Sequence, residues 1–201
     1  MGFDIEFVPG PDRLNVGFEK WATLIKDWRP VWEDVIKLFR KHEARHLDSG
    51  GESTGDAFVP LSPAYAAWKD RNFPGKPILT LRGALRMALV EGKGASAFKR
   101  TNSRGLEVGV FGGPVHEYAL AHAFGLGGMP VRPPVRYNET IHGAGQIMGT
   151  KVSLATAIAQ IFQVHIVAAR KKAMSDSGLP VIFEDETRVA KIEAVMNLET
   201  F

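Results

Sequence analysis

No cysteine occurs among the 201 residues, and that absence removes a disulfide scaffold, a cysteine nucleophile and every thiolate metal site. Redox compartment stays open, because a chain without thiols is indifferent to it. A long apolar run is missing too. The most apolar stretch, residues 152–169, is interrupted by Ser153, Thr156, Gln160, Gln163 and His165, whereas a membrane span needs about 20 mostly apolar residues. It reads as a helix buried in protein, and no membrane partner is expected. The first eight residues have neither a basic region nor an apolar core, so no secretory signal is expected. Their alternation reads as a short strand ended by Pro9-Gly10-Pro11. Net charge is also scarce: +3 with histidines neutral, too little by itself to argue for nucleic-acid binding. What is present is enough chain for one domain with an appendage, and 45% hydrophobic residues to build its core.

Periodicity organises that chain. Leu14, Phe18, Trp21, Ile25 and Trp28 recur at steps of four and three, predicting an amphipathic helix over 14–28. Pro30 breaks it and suits the first turn of a second helix, which runs to about Leu47 and buries Trp32, Val35, Ile36 and Phe39. Residues 49–56 form a polar loop. Ser62 as N-cap and Pro63 at the first helical position open a short helix. Another short helix is expected near 82–90. Two strands follow, at 98–101 and 106–111, joined by Asn102-Ser103-Arg104-Gly105. A helix over 116–124 ends at Gly125, and 127–134 is an extended loop. A long helix over 153–174 stops at Gly178 and Pro180, before a strand at 181–183 and an amphipathic helix over 187–198.

The small net charge conceals an uneven distribution. Residues 68–104 carry nine Lys/Arg against Asp70 and Glu91, a net of +7, which leaves −4 for the rest of the chain. One reading is a solvated face whose lysine stems cover apolar surface. The sharper one is a basic surface turned toward a polyanion.

One motif carries explicit chemistry. His42-Glu43-Ala44-Arg45-His46 matches H-E-x-x-H, whose i, i+4 imidazoles hold zinc on one helix face with the glutamate as general base. Arg40, Lys41 and Arg45 would oppose a dication there, and Ser49 stands where an extended zinc motif has glycine. No glutamate on a downstream helix supplies a third ligand. The competing reading is a helix end whose cations favour the C-terminal dipole. The glycines of residues 143–149 have the wrong spacing for a dinucleotide loop and lack the lysine of a P-loop. No G-x-S-x-G is present. The expectation is a non-enzymatic chain with no cofactor and no bound metal.

Four short islands say more. They are Pro60-Leu61-Ser62-Pro63 with Tyr65, Trp68-Lys69 and Arg71; Pro77-Ile78-Leu79-Thr80-Leu81 with Gly83 and Leu85; Tyr118-Ala119 with His122, Phe124 and Gly125; and Met129-Pro130-Val131-Arg132-Pro133. In this order and spacing the chain resembles the phage Mu-type virion morphogenesis, or tail completion, family of tailed phages over about residues 56–137. That pattern runs W-x-P-L-S-P, W-K-x-R, I-L-x-x-T-G-x-L, Y-A-x-x-H-x-F-G and P-A-R-P. Here Phe58 stands for the tryptophan, Arg82 for the threonine, Val131 for the alanine and Pro134 for a following aromatic. Residues 141–201 have no counterpart in it.

The resemblance implies an α+β fold, with N-terminal helices packed on a small, mostly antiparallel sheet in residues 1–140. Residues 141–201 are expected to add a C-terminal helical extension that packs against the N-terminal helices or across a subunit boundary. The implied role is structural: a ring at the head–tail junction or tail end of a virion, assembled in the host cytoplasm, through which DNA passes without sequence specificity. Six copies are the expectation and twelve the alternative, with other neck or tail proteins as neighbours. Arg82, Arg86, Lys93, Lys99 and Arg100 are the candidates to face the DNA or a neighbouring ring. Tyr65, Tyr118, Arg132, Ile158, Ile161 and Phe162 are the subunit-interface candidates. The two rival functions are a zinc-dependent hydrolase using the 42–46 helix and a stand-alone DNA-binding module.

Overall fold

A computed structural model of the chain describes residues 11–55, 57–135, 146–147, 150–151 and 154–179. Six helices and a two-stranded antiparallel hairpin dominate it, as expected for the α+β class. The expected strands at the N-terminus and at 181–183, and the helix over 187–198, lie outside the described residues.

The organising element is α2 (Arg29–Asp48), which Pro30 opens within its first turn. Its apolar residues recur every three or four positions, so Val31, Trp32, Val35, Ile36, Phe39 and Leu47 fall on one face and are buried. Each such side chain contributes about 1.5–3 kcal/mol on leaving water. Two apolar clusters divide this face. Near its start, Val31, Trp32 and Val35 meet Ile161, and toward its end Phe39 and Leu47 meet Phe58, Leu79, Leu85 and Leu89.

The helix before it, α1 (Pro11–Leu24), is shorter than the predicted 14–28. Residues 25–28 fall outside it, and the Trp28 N–H donates instead to the Ser103 carbonyl of the hairpin turn, at 3.0 Å. The predicted stripe also fails at Phe18, which is 52% exposed. Gly17 is the buried position instead: a Cβ there would stand 2.6 Å from Leu179 Cδ1, so α1 approaches the end of α6 (Leu154–Ser175) through the missing side chain. The extension thus packs on the N-terminal helices. Phe162 sits 5.0 Å from the ring of Trp28 and 5.5 Å from that of Trp32, and Ile161 is 5% exposed.

Between these helices the chain forms α3 (Pro63–Asn72), then α4 (Ala84–Arg86), which runs on as a π-helical turn over Met87–Glu91 rather than as the continuous helix expected near 82–90. The hairpin of β1 (Ala97–Thr101) and β2 (Leu106–Val110) follows, pairing Ala97 with Val110 and Thr101 with Leu106. Next is α5 (Gly113–Phe124), closed by Gly125 at φ 68°. That glycine is required twice over, since a Cβ would also lie 2.9 Å from the Met129 carbonyl oxygen. The expected extended loop begins as a 3-10 turn at Leu126–Gly128. A second small ladder pairs β3 (Gln146–Ile147) with β4 (Thr150–Lys151).

Candidate functional site

The islands are separate in sequence, and three of them meet in space at Arg132. Its guanidinium donates from Nε to the Val59 carbonyl at 2.6 Å and from an Nη to the Pro60 carbonyl at 2.8 Å. Its own backbone N–H donates to the His122 carbonyl at 2.8 Å. A planar, permanently charged fork suits this double capture, which the point charge of lysine does not reproduce. Prolines on either side supply the setting: Pro60 and Pro63 lie in one strap, Pro130 and Pro133 in the other. Each fixes backbone direction at little entropic cost.

Lys69 secures the remaining island. Its ammonium donates to the Pro77 carbonyl at 2.5 Å, and the Thr80 N–H donates to the same oxygen at 3.0 Å. The turn so held places Leu79 at φ 63°, left-handed for a non-glycine residue, yet only 5% exposed. That conformation costs about 1–2 kcal/mol, which burial of the leucine offsets. Burial pushes the Lys69 ammonium below the usual lysine range, and the neighbouring Arg132 charge pushes the same way. His122 is lowered by burial and then by Arg132. The phenol of Tyr118 is raised, mainly by burial and further by Tyr65, with Arg132 pulling against both.

Above this layer lies an aromatic rim. Tyr65 stacks on Trp68 with centroids 5.4 Å apart, and Tyr118 meets His122 edge-on at 4.5 Å. Tyr65, Trp68 and Tyr118 are about two-fifths exposed, and Val59 and Val131 about half. The interface candidates therefore divide. Tyr65 and Tyr118 stand at the surface, whereas Arg132, at 4% exposure, is spent on its own chain. Ile161 is buried against α2, and Ile158 and Phe162 are half-buried beside it. The buried companions of Arg132, namely Lys69 and His122, escaped recognition as site residues. Their only sequence signal was membership of the islands.

Four of the nine cations of the basic window are ion-paired. Arg86 pairs with Asp48 at 3.2 Å, Lys93 with Glu91 at 3.5 Å, Lys99 with Glu33 at 2.7 Å and Arg100 with Glu107 at 2.5 Å. Three of those four acids lie outside residues 68–104. Of the five candidates only Arg82 makes no ion pair among the described residues.

The His-Glu motif does sit on α2, with both histidines facing the interior. The imidazoles of His42 and His46 are nearly parallel, with centroids 6.5 Å apart. His46 has both nitrogens engaged: Nε2 donates to the Pro133 carbonyl at 2.9 Å, and Nδ1 faces the Thr54 hydroxyl at 2.9 Å. Zinc needs a bare nitrogen lone pair, and here the carbonyl requires a proton on Nε2. Glu43 is fully buried, with Oε1 3.1 Å from His42 Nδ1. Among the described residues no three metal-capable side chains converge. His46 instead ties α2 to the Arg132 strap. Nor is any described helix long and apolar enough to cross a membrane.

No protein-family model, curated protein or solved structure matches the chain.

Proposed function

We propose that the chain is a non-enzymatic structural subunit of a phage neck or tail end, working as a closed ring of six copies through which DNA passes. The observation that carries this reading is the convergence on Arg132. Islands resembling those of the tail completion family, spread over some 70 residues, are joined by the Arg132, Lys69 and His122 contacts into one layer. Their exposed side chains are large aromatics and aliphatics, the kind of surface that anchors protein contacts. Heterologous contacts of that kind close into a ring when each copy is rotated by a fixed angle.

The ion-paired state of the basic window favours a channel wall that DNA slides past over one that grips it. With four of the five candidate cations already matched to acids, those four release fewer counterions on meeting DNA than free cations would.

Negative-stain microscopy of the purified chain tests the ring, and antibody labelling of the source particle tests the location. Six-fold annular particles and label at the neck or tail end are expected. Absence of rings at tens of micromolar together with unlabelled particles would overturn the reading.

A further inference from the structure

The clamp contains an electrostatic imbalance. Arg132 and Lys69 are 4% and 6% exposed, and among the described residues their side chains donate to backbone carbonyls alone. No carboxylate among the described residues pairs with either. Buried charges are ordinarily matched by an opposite charge, yet here two of one sign lie close enough to act on each other. His122, 6% exposed, adds a buried Nδ1 with no hydrogen-bond partner among the described residues. Its lowered pKa leaves the ring neutral near pH 7, so it adds no third positive charge and no compensating one.

Two phenols border this cluster: Tyr118 packs edge-on against His122 at 4.5 Å, and Tyr65 stacks on Trp68, the residue before Lys69, at 5.4 Å. The Tyr118 phenol is raised further by Tyr65 and pulled the other way by Arg132. Burial keeps the Tyr118 hydroxyl protonated and able to donate. The surrounding surface, Val59, Trp68 and Val131, is apolar and exposed.

We propose that the Tyr65–Tyr118 rim docks a partner protein through an acidic side chain set among apolar groups, the carboxylate taking hydrogen bonds from the phenols that border the Arg132 and Lys69 cluster. Charge complementarity selects this occupant: the uncompensated positive field calls for an anion, and the exposed apolar border calls for an apolar setting around it. A wide, exposed border suits a protein surface better than a small free acid. Within the ring reading this is the contact with a neighbouring subunit, and the proposal rests on that reading only for the partner's whereabouts.

The test titrates the intact chain with the peptides acetyl-Phe-Glu-Phe-amide and acetyl-Phe-Gln-Phe-amide, and with sodium propionate. The His122 and Tyr118 ring resonances are followed by NMR. Saturable shifts with the Glu peptide, about tenfold weaker with the Gln peptide, are expected, together with a comparable loss in Tyr118→Phe. Tyr118→Phe keeps the ring packed on His122, so its fold is preserved. A Tyr65→Phe variant provides a second, independent loss. Equal response to both peptides, no saturation by either, or propionate binding as tightly as the Glu peptide would overturn the proposal. Failure of ring formation with the peptide preference intact would instead count against the ring reading alone.

Discussion

The Nε of Arg132 donates to the carbonyl oxygen of Val59 at 2.6 Å, across 73 positions of sequence. This bond, with its companion to Pro60, holds the loop after α5 against the strap before α3. Val59 and Val131, at the exposed border of the aromatic rim, lie on the two segments it joins.

Replacing Arg132 by lysine retains the charge and loses the fork. One carbonyl at most is then reached, in poorer geometry. A stability loss of about 1–3 kcal/mol is expected, read as a lowered midpoint in urea unfolding with an unchanged slope. A loss inside experimental error would show that the straps are held by their prolines alone.

His46 is a structural tie, so its removal registers in stability and not in metal content. His46→Ala gives up two hydrogen bonds and opens a void, at an expected cost of about 2–4 kcal/mol. Elemental analysis of the wild-type chain, purified without chelator, is expected to find far less than one zinc per chain. Stoichiometric zinc that disappears in the variant would reinstate the hydrolase reading.

Stability falls with acid partly through His122. Its folded pKa lies below the 6.5 of a free imidazole, first through burial and then through Arg132. Below pH 6.5 the unfolded chain therefore binds a proton that the folded chain refuses. The contribution is complete above that pH and is lost as pH falls, until folded His122 itself titrates. Wild type should lose more stability than His122→Phe between about pH 7.5 and 5.5, by no more than about 1.4 kcal/mol per pH unit. Parallel pH profiles for the two proteins would refute this assignment.

The ion pairs over the basic window matter for DNA more than for folding. Each is largely exposed, so Glu33→Gln or Glu107→Gln should change stability by less than about 1 kcal/mol. Combined, they unmask Lys99 and Arg100. Affinity for duplex DNA in gel shifts should then rise, and its logarithmic salt slope should steepen by up to about 0.9 for each phosphate newly neutralised. Unchanged affinity would place those cations away from any DNA path.

Much of the helical framework was legible because it repeats. The spacing of Trp32, Val35, Ile36 and Phe39 located α2, Ser62-Pro63 located the start of α3, and Gly125 marked the end of α5. Where local pattern competed with a distant partner, it lost. Phe18 fits the stripe of α1 perfectly well, but close approach to α6 demands a residue without a side chain, and Gly17 answers that demand. The pairing within the basic window was likewise invisible in sequence. A run of cations is visible in sequence, while Asp48, Glu33 and Glu107 come from α2 and β2 and arrive only on folding.

The chain by itself determined its helices, its hairpin, its freedom from thiol chemistry and the islands that single out residues 56–137. These follow from local rules: side-chain period, proline geometry and composition. Only the tertiary structure decided that Arg132 faces inward, that His46 is saturated, and that the long helix α6 covers α1 and α2. Those outcomes depend on which backbone carbonyls and apolar faces come within hydrogen-bonding or van der Waals reach. That reach is a property of the assembled fold, and no interval along the chain encodes it.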